Sequence, residues 1–403
     1  MNLIIRGLRK IARLEKKVSF LLAYKQGKIL SAKINNAESL GSKVSVFKPE
    51  TVEEVDMHKV YGFIVDGSFK VNYPEIDLWK FTDAMVIGRT DFVFDNKGNV
   101  FWKKYFAYNY SKNIASDRLL EKEENGIVYY RKPKHILNVD VAFSMLGVHA
   151  HIWSHSLSEY FPKLAVLQDA IDDVGGELTI LVPNYQDLQL KEVIYNELNK
   201  HKGIKILVVD DEVAVKAKCL YYMERPTTFT DHEVSVALGD DVQPKVVADI
   251  LKEKLVTPLL NEIDQNAKPI KLYLPRRGFG RNLTNWAEVE EYFRKEGFYF
   301  LEAPHKLSLK EKVQLFNSAE VIAGPFGSAF SNIIFCKPGT KMLLFCNFSR
   351  FYEAWLCLHK KYFNLDMLWV TGFDDKTATN PSHCSFYIPL QKIKEAAKYL
   401  GIV

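Results

Sequence analysis

The sequence has little of what defines several large protein classes. Its five cysteines (Cys219, Cys336, Cys346, Cys357 and Cys384) form no CxxC pair and no regular spacing. An odd, scattered set describes reduced thiols, neither a disulfide framework nor a zinc site. No apolar run approaches the roughly 20 residues that cross a bilayer, and no apolar core near the start leads into a small-residue cleavage site, so a secretory signal is not expected. Gly and Pro, 21 and 15 in 403 residues, are too sparse for a collagen-like or low-complexity chain. Charge of one sign is also scarce, with a net of +5. Even that excess is local: the first thirty residues hold Arg6, Arg9, Lys10, Arg13, Lys16, Lys17, Lys25 and Lys28 against Glu15 alone, a balance of +7. The remaining 373 residues sum to −2, which argues against a nucleic-acid partner, since duplex binders need a basic surface across the footprint. A cytoplasmic location is expected, and the sequons at Asn109, Asn282 and Asn347 are read as chance.

What remains is an ordinary globular composition, 47% hydrophobic and 26% charged, long enough for two or three domains. Within residues 1–30, Ile4, Leu8, Ile11, Val18, Leu21 and Leu22 fall near helical spacing among the basic residues. Such a helix either lies in the headgroups of an anionic membrane or docks on its own domain. Residues 31–134 read as a β-rich region followed by a charged linker from about 113. Its clearest signal is Asp95-Asn96-Lys97-Gly98-Asn99 between two apolar runs, a hairpin. From 135 to 265 strands and helices alternate, describing a Rossmann-like domain that ends in a long amphipathic helix over 239–265. A second such domain follows over 266–403, with C-terminal helices. The fold class is therefore α/β, with the ligand expected in the crevice at the strands' carboxyl ends.

Three constellations carry chemistry. In His149-Ala-His151-Ile-Trp-Ser-His155-Ser-Leu-Ser-Glu159, Ser154 reads as an N-cap that sets His155 and Glu159 four apart on one helix face. A carboxylate there fixes the imidazole tautomer, and either group can take a proton. Structural capping and a metal site on the three histidines are the competing readings. The second constellation is Arg276-Arg277-Gly-Phe-Gly-Arg281 at the exit of a buried strand, where guanidinium groups suit phosphate oxygens and glycines admit close approach. A solvated basic loop is the bland alternative. The third is Gly324-Pro-Phe-Gly327-Ser328-Ala329, a strand-to-helix turn whose helix start favours an anion. Together the last two describe a pyrophosphate site.

The order His155-x-x-x-Glu159-x-x-Pro162, Tyr273-x-x-Arg276, Arg281 and Asn285, Leu307-Ser308-Leu309 with Glu311, then Gly324-x-x-Gly327-Ser328-Ala329 and Asn332 resembles glycosyltransferase family 61 over roughly residues 44–345. The upstream Phe81-Thr82-Asp83-Ala84 is similar to its bacterial capsule-type members. The resemblance implies a GT-B-type pair of Rossmann-like domains and an inverting, metal-independent transfer, without cofactor, from a nucleotide-sugar to a saccharide or lipid-linked acceptor in surface-polysaccharide synthesis. The donor expected is a UDP-sugar, with a CMP-sugar as the alternative. Arg276, Arg277, Arg281, Asn285, Gly324, Gly327, Ser328, Ala329 and Asn332 would hold it, and Glu159 or His155 would activate the acceptor. The chain departs from the family pattern at Phe326, where His is usual, at Trp286, where an acid follows Asn285, and at Lys312, where Gln is usual. A non-catalytic carbohydrate-binding relative and a hydrolase built on the His149/His151/His155 cluster are the other readings.

The basic N-terminus is expected to place the protein on the inner face of the membrane. The full chain should sediment with anionic vesicles at low salt and release as salt rises. Unchanged association after deletion of residues 1–30 would leave only the docked-helix reading.

Overall fold

The computed structural model describes residues 18–35, 39–49, 51–56, 59–62, 68–73, 75–101, 120–124, 126–226, 243–278, 280–347, 354–374 and 384–403. Most of the basic N-terminal helix, residues 1–17, lies outside them. Residues 18–25 are helical, and the rings of Phe20 and Tyr24 meet Tyr129 edge-on at 5.5 and 5.7 Å.

Residues 135–223 supply four parallel strands, His135–Ser144, Leu178–Pro183, Ile204–Val209 and Val213–Met223. In the sheet they lie in the order third, second, first, fourth. The unbroken apolar run Leu178-Thr-Ile-Leu-Val182 suits a strand covered on both faces, and all of it but Thr179 is buried. Between the first two strands, residues 153–174 run as one helical segment whose Ser156–Tyr160 turn is π-helical and whose Phe161–Val166 turn is 3-10. The helix Leu188–Leu198 is capped by the Asp187 side chain, which accepts from Leu190 N–H at 3.0 Å.

The β-rich N-terminal region joins this sheet. Its long strand Ile76–Ile87 pairs antiparallel with Val213–Met223, from Ile87 opposite Ala214 to Leu78 opposite Met223. The sheet continues through Val93–Phe94, Asn99–Phe101, Ile29–Asn35, Ile127–Arg131 and Leu120–Glu124. The expected linker at 113–134 is thus corrected: Leu120–Glu124 and Ile127–Arg131 form an antiparallel pair. Val128 and Tyr130 point into the core, an alternation hidden among charged neighbours. Arg131 and His135 are four residues apart, a reach of about 14 Å, yet six strand places apart, about 29 Å if the sheet were flat. The sheet must therefore curl back toward itself.

The second sheet holds Ile270–Tyr273, Tyr299–Phe300, Ala319–Pro325, Lys341–Asn347 and Asp366–Asp374, all parallel, in the order second, first, third, fourth, fifth. The C-terminal region, expected as helices, contains Ala354–Phe363 and Leu390–Tyr399 but also the strand Asp366–Asp374. Helical turns over Lys245–Leu251, Lys252–Val256 and Thr257–Leu260 occupy much of the expected 239–265 helix. One apolar cluster runs from Tyr160, Ile180 and Val182 under the first sheet to Leu272, Ile322, Phe330 and Trp369 under the second.

Both parallel arrays have a place where strand order reverses. In the first it lies between His135–Ser144 and Val213–Met223, in the second between Ile270–Tyr273 and Ala319–Pro325. Loops leaving neighbouring strands there diverge to opposite sides and open a crevice at the carboxyl ends, the usual place for a ligand in such sheets.

The Asp95–Asn99 hairpin forms as its residues require. Asp95 Oδ1 accepts from the N–H groups of Lys97 and Asn99, both at 2.8 Å, and Gly98 takes φ of +82°. Asp95→Ala should destabilise the protein by about 1–2 kcal/mol through these lost bonds, read as a lowered urea midpoint. An unchanged midpoint would mean the strands alone set the turn.

Candidate functional site

The reversal point of the second sheet is built by close approach of backbone and guanidinium. Gly324, with φ of +150°, ends its strand so near the neighbouring one that a Cβ would lie 2.4 Å from Leu274 O. Gly327 is extended, and its lack of a side chain serves another purpose: a Cβ there would lie 2.1 Å from Arg276 Nη1. The Arg276 guanidinium is laid against the turn, braced by Nε donating to Gly280 O at 2.8 Å. Ser328 is exposed at the start of the helix Ser328–Phe335, a 3-10 helix whose first internal bond is Phe330 N–H to Gly327 O at 2.9 Å. The amides of Ser328 and Ala329 precede that ladder, so an anion seated there meets N–H dipoles and the Arg276 charge together.

The other sequence candidates divide. Arg277 turns away: its Nε donates to both Glu290 oxygens at 2.9 and 3.1 Å, its Nη2 to Glu302 at 3.1 Å, and its guanidinium covers the Trp286 ring at 5.0 Å. Its expected place among the donor ligands is therefore corrected, because a buried carboxylate and an indole already hold it. Arg281 stays in the loop with φ of +65°, a conformation uncommon for a residue with a side chain. Asn285 begins the helix Trp286–Lys295 but spends its amide on Ile388 O at 2.8 Å, tying the arginine loop to the C-terminal segment. Asn332 is buried and bonds Ala329 O at 2.9 Å, within its own helix. The Oδ1 atoms of both asparagines are buried and have no hydrogen-bond partner among the described residues. Ala329 is half-buried beside Ser328. Phe326, where the resemblance expects His, is 3% exposed and packs on Trp369 at 5.3 Å.

The reversal point of the first sheet collects the charged groups. Ile152, in extended conformation, takes the cap position expected for Ser154, which instead lies inside the first turn. His155 and Glu159 still meet: Nδ1 of His155 bonds Oε1 of Glu159. The π-helical turn widens the segment at this point, as such turns do at many functional sites. The other Glu159 oxygen receives Nη1 of Arg225, from just beyond Val213–Met223. Arg225 Nε stands 3.6 Å from Asp91, whose carboxylate accepts from Tyr160 OH at 3.1 Å and from Val148 N–H at 3.3 Å. Burial alone would raise the Glu159 carboxyl; the charges of His155 and Arg225 overcome it and hold the pKa down to about 2. Glu159 is 1% exposed, whereas a third of the His155 side chain is accessible. Arg225 and Asp91 escaped the sequence reading. The one local trace of Arg225 is its place between the end of a strand and Pro226.

His151 Nε2 bonds Arg89 Nη2 at 2.8 Å, and Arg89 pairs with Asp211 at 2.7 Å. His149 stacks on His155 at 4.6 Å between ring centres. Burial, then the neighbouring His155, push His149 down to about 4. Among the described residues no three His, Cys, Asp or Glu side chains are arranged to hold a metal ion.

The two reversal points are joined. The turn Trp153–His155 packs against Ser328–Phe335. Beside this contact Lys312, 2% exposed, places its ammonium 3.2 Å from the centre of the Trp153 ring and bonds Gln189 Oε1. Burial brings Lys312 down to about 7, against the charges of Asp187 and Glu192.

Residues 153–343, which include His155, Glu159 and Arg225 of the first cluster and the Arg276–Gly327 turn of the second, match the family model described as Glycosyltransferase 61. No curated protein matches the sequence.

The two adjacent arginines should separate in experiment. Gly327→Ala, by displacing the Arg276 guanidinium, should weaken nucleotide binding tenfold or more with little loss of stability. Arg277→Ala should keep nucleotide affinity and cost about 1–3 kcal/mol, because Glu290 loses its main buried partner. Calorimetric titration and denaturant unfolding of both variants read the two effects, and the reverse pattern would reassign the loop.

Proposed function

We propose, for a chain whose residues 153–343 are a glycosyltransferase 61 domain and which is therefore a glycosyltransferase, an inverting transfer in a GT-B-type crevice between two Rossmann-like halves. Arg276 and the amides at Ser328 and Ala329 hold the phosphates of a nucleotide-sugar, a UDP-sugar in the first instance and a CMP-sugar as the alternative. The acceptor, a saccharide or lipid-linked saccharide, approaches from the first half. His155 takes the proton of its hydroxyl, the oxygen bonds to the anomeric carbon from the face opposite the nucleotide, and the carbon–oxygen bond to phosphate breaks. The departing electron pair comes to rest on a phosphate oxygen facing Arg276 and the helix start. Fixed donors aimed at that charge stabilise it without reorganisation, the role a metal plays in other transferases. Surface-polysaccharide synthesis at the inner face of the membrane is the process this chemistry and the basic N-terminus fit.

The observation that carries the reading is the Arg276 guanidinium pressed on Gly327 at one reversal point, with the His155–Glu159 pair at the other. The proton goes to His155, not Glu159, because both carboxylate oxygens are engaged in a buried site, and a group held near 2 is a weak base. Glu159 keeps Nδ1 occupied, so proton transfer runs through Nε2.

A thermal-shift panel of nucleoside diphosphates and CMP identifies the donor half, since a ligand of the folded state raises Tm. Arg276→Ala should weaken that binding about tenfold or more. His155→Ala should keep nucleotide binding and lose sugar transfer by roughly 10²–10⁴-fold, with Glu159→Gln losing less. Transfer within a few-fold of the parent in His155→Ala would place the base elsewhere.

A further inference from the structure

Beneath the His155–Glu159 pair lies a cation for which the mechanism above has no use. Lys163 follows Glu159 by four residues, across the change from the π-helical to the 3-10 turn, and the Glu159 charge acts on it. Its side chain is wholly buried, and its ammonium has no hydrogen-bond partner among the described residues. It lies over two rings, 5.1 Å from the centre of Tyr160 and 4.8 Å from that of Tyr222. Both tyrosines bond Asp91, Tyr160 through the carboxylate and Tyr222 through the backbone carbonyl at 2.9 Å. A buried ammonium without hydrogen bonds is costly. The rings recover part of that cost by cation–π attraction, and the surrounding carboxylates recover more.

The charged groups facing this ammonium are Glu159 from its own helix, Asp91 from the loop ahead of the hairpin, and Glu224 and Arg225 from the strand end. His149 and His155 border the same array. Taken formally, three carboxylates, Arg225 and Lys163 sum to −1 while the imidazoles are neutral. A proton accepted by His155 brings the buried array to zero. Without Lys163 it would start at −2 and hold that proton more firmly.

Building on the function proposed above, we propose that Lys163 is a positioning residue for the proton transfer, acting through Glu159 and Arg225 to set how readily His155 gives up the proton it takes. A base must release its proton between turnovers, so a buried cation behind the carboxylates keeps His155 from being trapped as imidazolium. Burial lowers Lys163 itself to about 8, so it carries its charge through the neutral range in which His155 works.

The test uses the full chain with the conservative variant Lys163→Arg, the isosteric Lys163→Met, and Glu224→Gln, which changes the array's charge in the opposite sense. Two readouts are taken: the His155 imidazole titration followed by NMR, and the acid limb of kcat/KM for sugar transfer. Lys163→Met should move both to higher pH by about one unit, Glu224→Gln should move both to lower pH, and Lys163→Arg should restore the parent. A structural role alone would not reverse sign with charge. A His155 titration unmoved in folded Lys163→Met and in Glu224→Gln overturns the proposal while leaving His155 free to be the base. A titration that moves while the acid limb does not overturns the assignment of the base to His155, and with it the role of Lys163 in transfer.

Discussion

The buried carboxylate of Glu159 is the constraint around which the first half of the molecule is arranged. A charged group with 1% exposure is tolerable only when both oxygens are paired, because each unmatched charge in such a place costs several kcal/mol. One partner comes from the preceding turn of the same segment, and the other must come from outside it. Arg225 can reach only because Val213–Met223 lies beside His135–Ser144 and runs parallel to it, so that both end at the same level. The antiparallel strand Ile76–Ile87 on its other side ends beside Ala214, and the loop after it carries Asp91, which braces Arg225 in turn. Sheet order, the π-helical turn and the path of the N-terminal strands are thus tied to a single ion pair.

That dependence explains what was legible in the sequence. Elements whose signals are local stood out: the Asp95–Asn99 hairpin, the apolar strands at 178–183 and 204–209, and the glycine turn at 324–327. Pairing between segments far apart did not. Nothing in Ile76–Ile87 names residues 213–223 as its neighbour, about 130 positions on, because strand periodicity encodes a face and not a partner. The linker reading failed for a related reason. The alternation in Ile127-Val-Tyr-Tyr-Arg131 is only five residues long and borrows stability from strands at both sides. Arg225 and Asp91 are buried by tertiary packing alone, so no run of neighbours announces them.

The positions where the chain departs from the family pattern share a physical character. Phe326 extends an aromatic contact with Trp369 across the second sheet, Trp286 forms the surface on which Arg277 lies, and Lys312 sits on Trp153 where the halves meet. Each puts an aromatic ring into the contact. What stands at the glycine turn is Arg276, bonded to the Gly280 carbonyl, and the helix start, which needs no side chain. A turn made mostly of backbone tolerates such exchanges, since its geometry is set by Gly324 and Gly327 and not by the identity of their neighbours.

The same logic separates Arg276 from Arg277. They are adjacent on the chain, so their side chains leave the strand exit in opposite directions, as in any extended segment. Arg277 meets Glu290 on the helix behind the sheet and is neutralised. Arg276 donates to the Gly280 carbonyl and is laid against Gly327 on the crevice side. Of two residues indistinguishable by type and almost by position, one is drawn onto a carboxylate behind the sheet and the other is laid on the glycine turn, and the direction of a strand's last residues decides which is which.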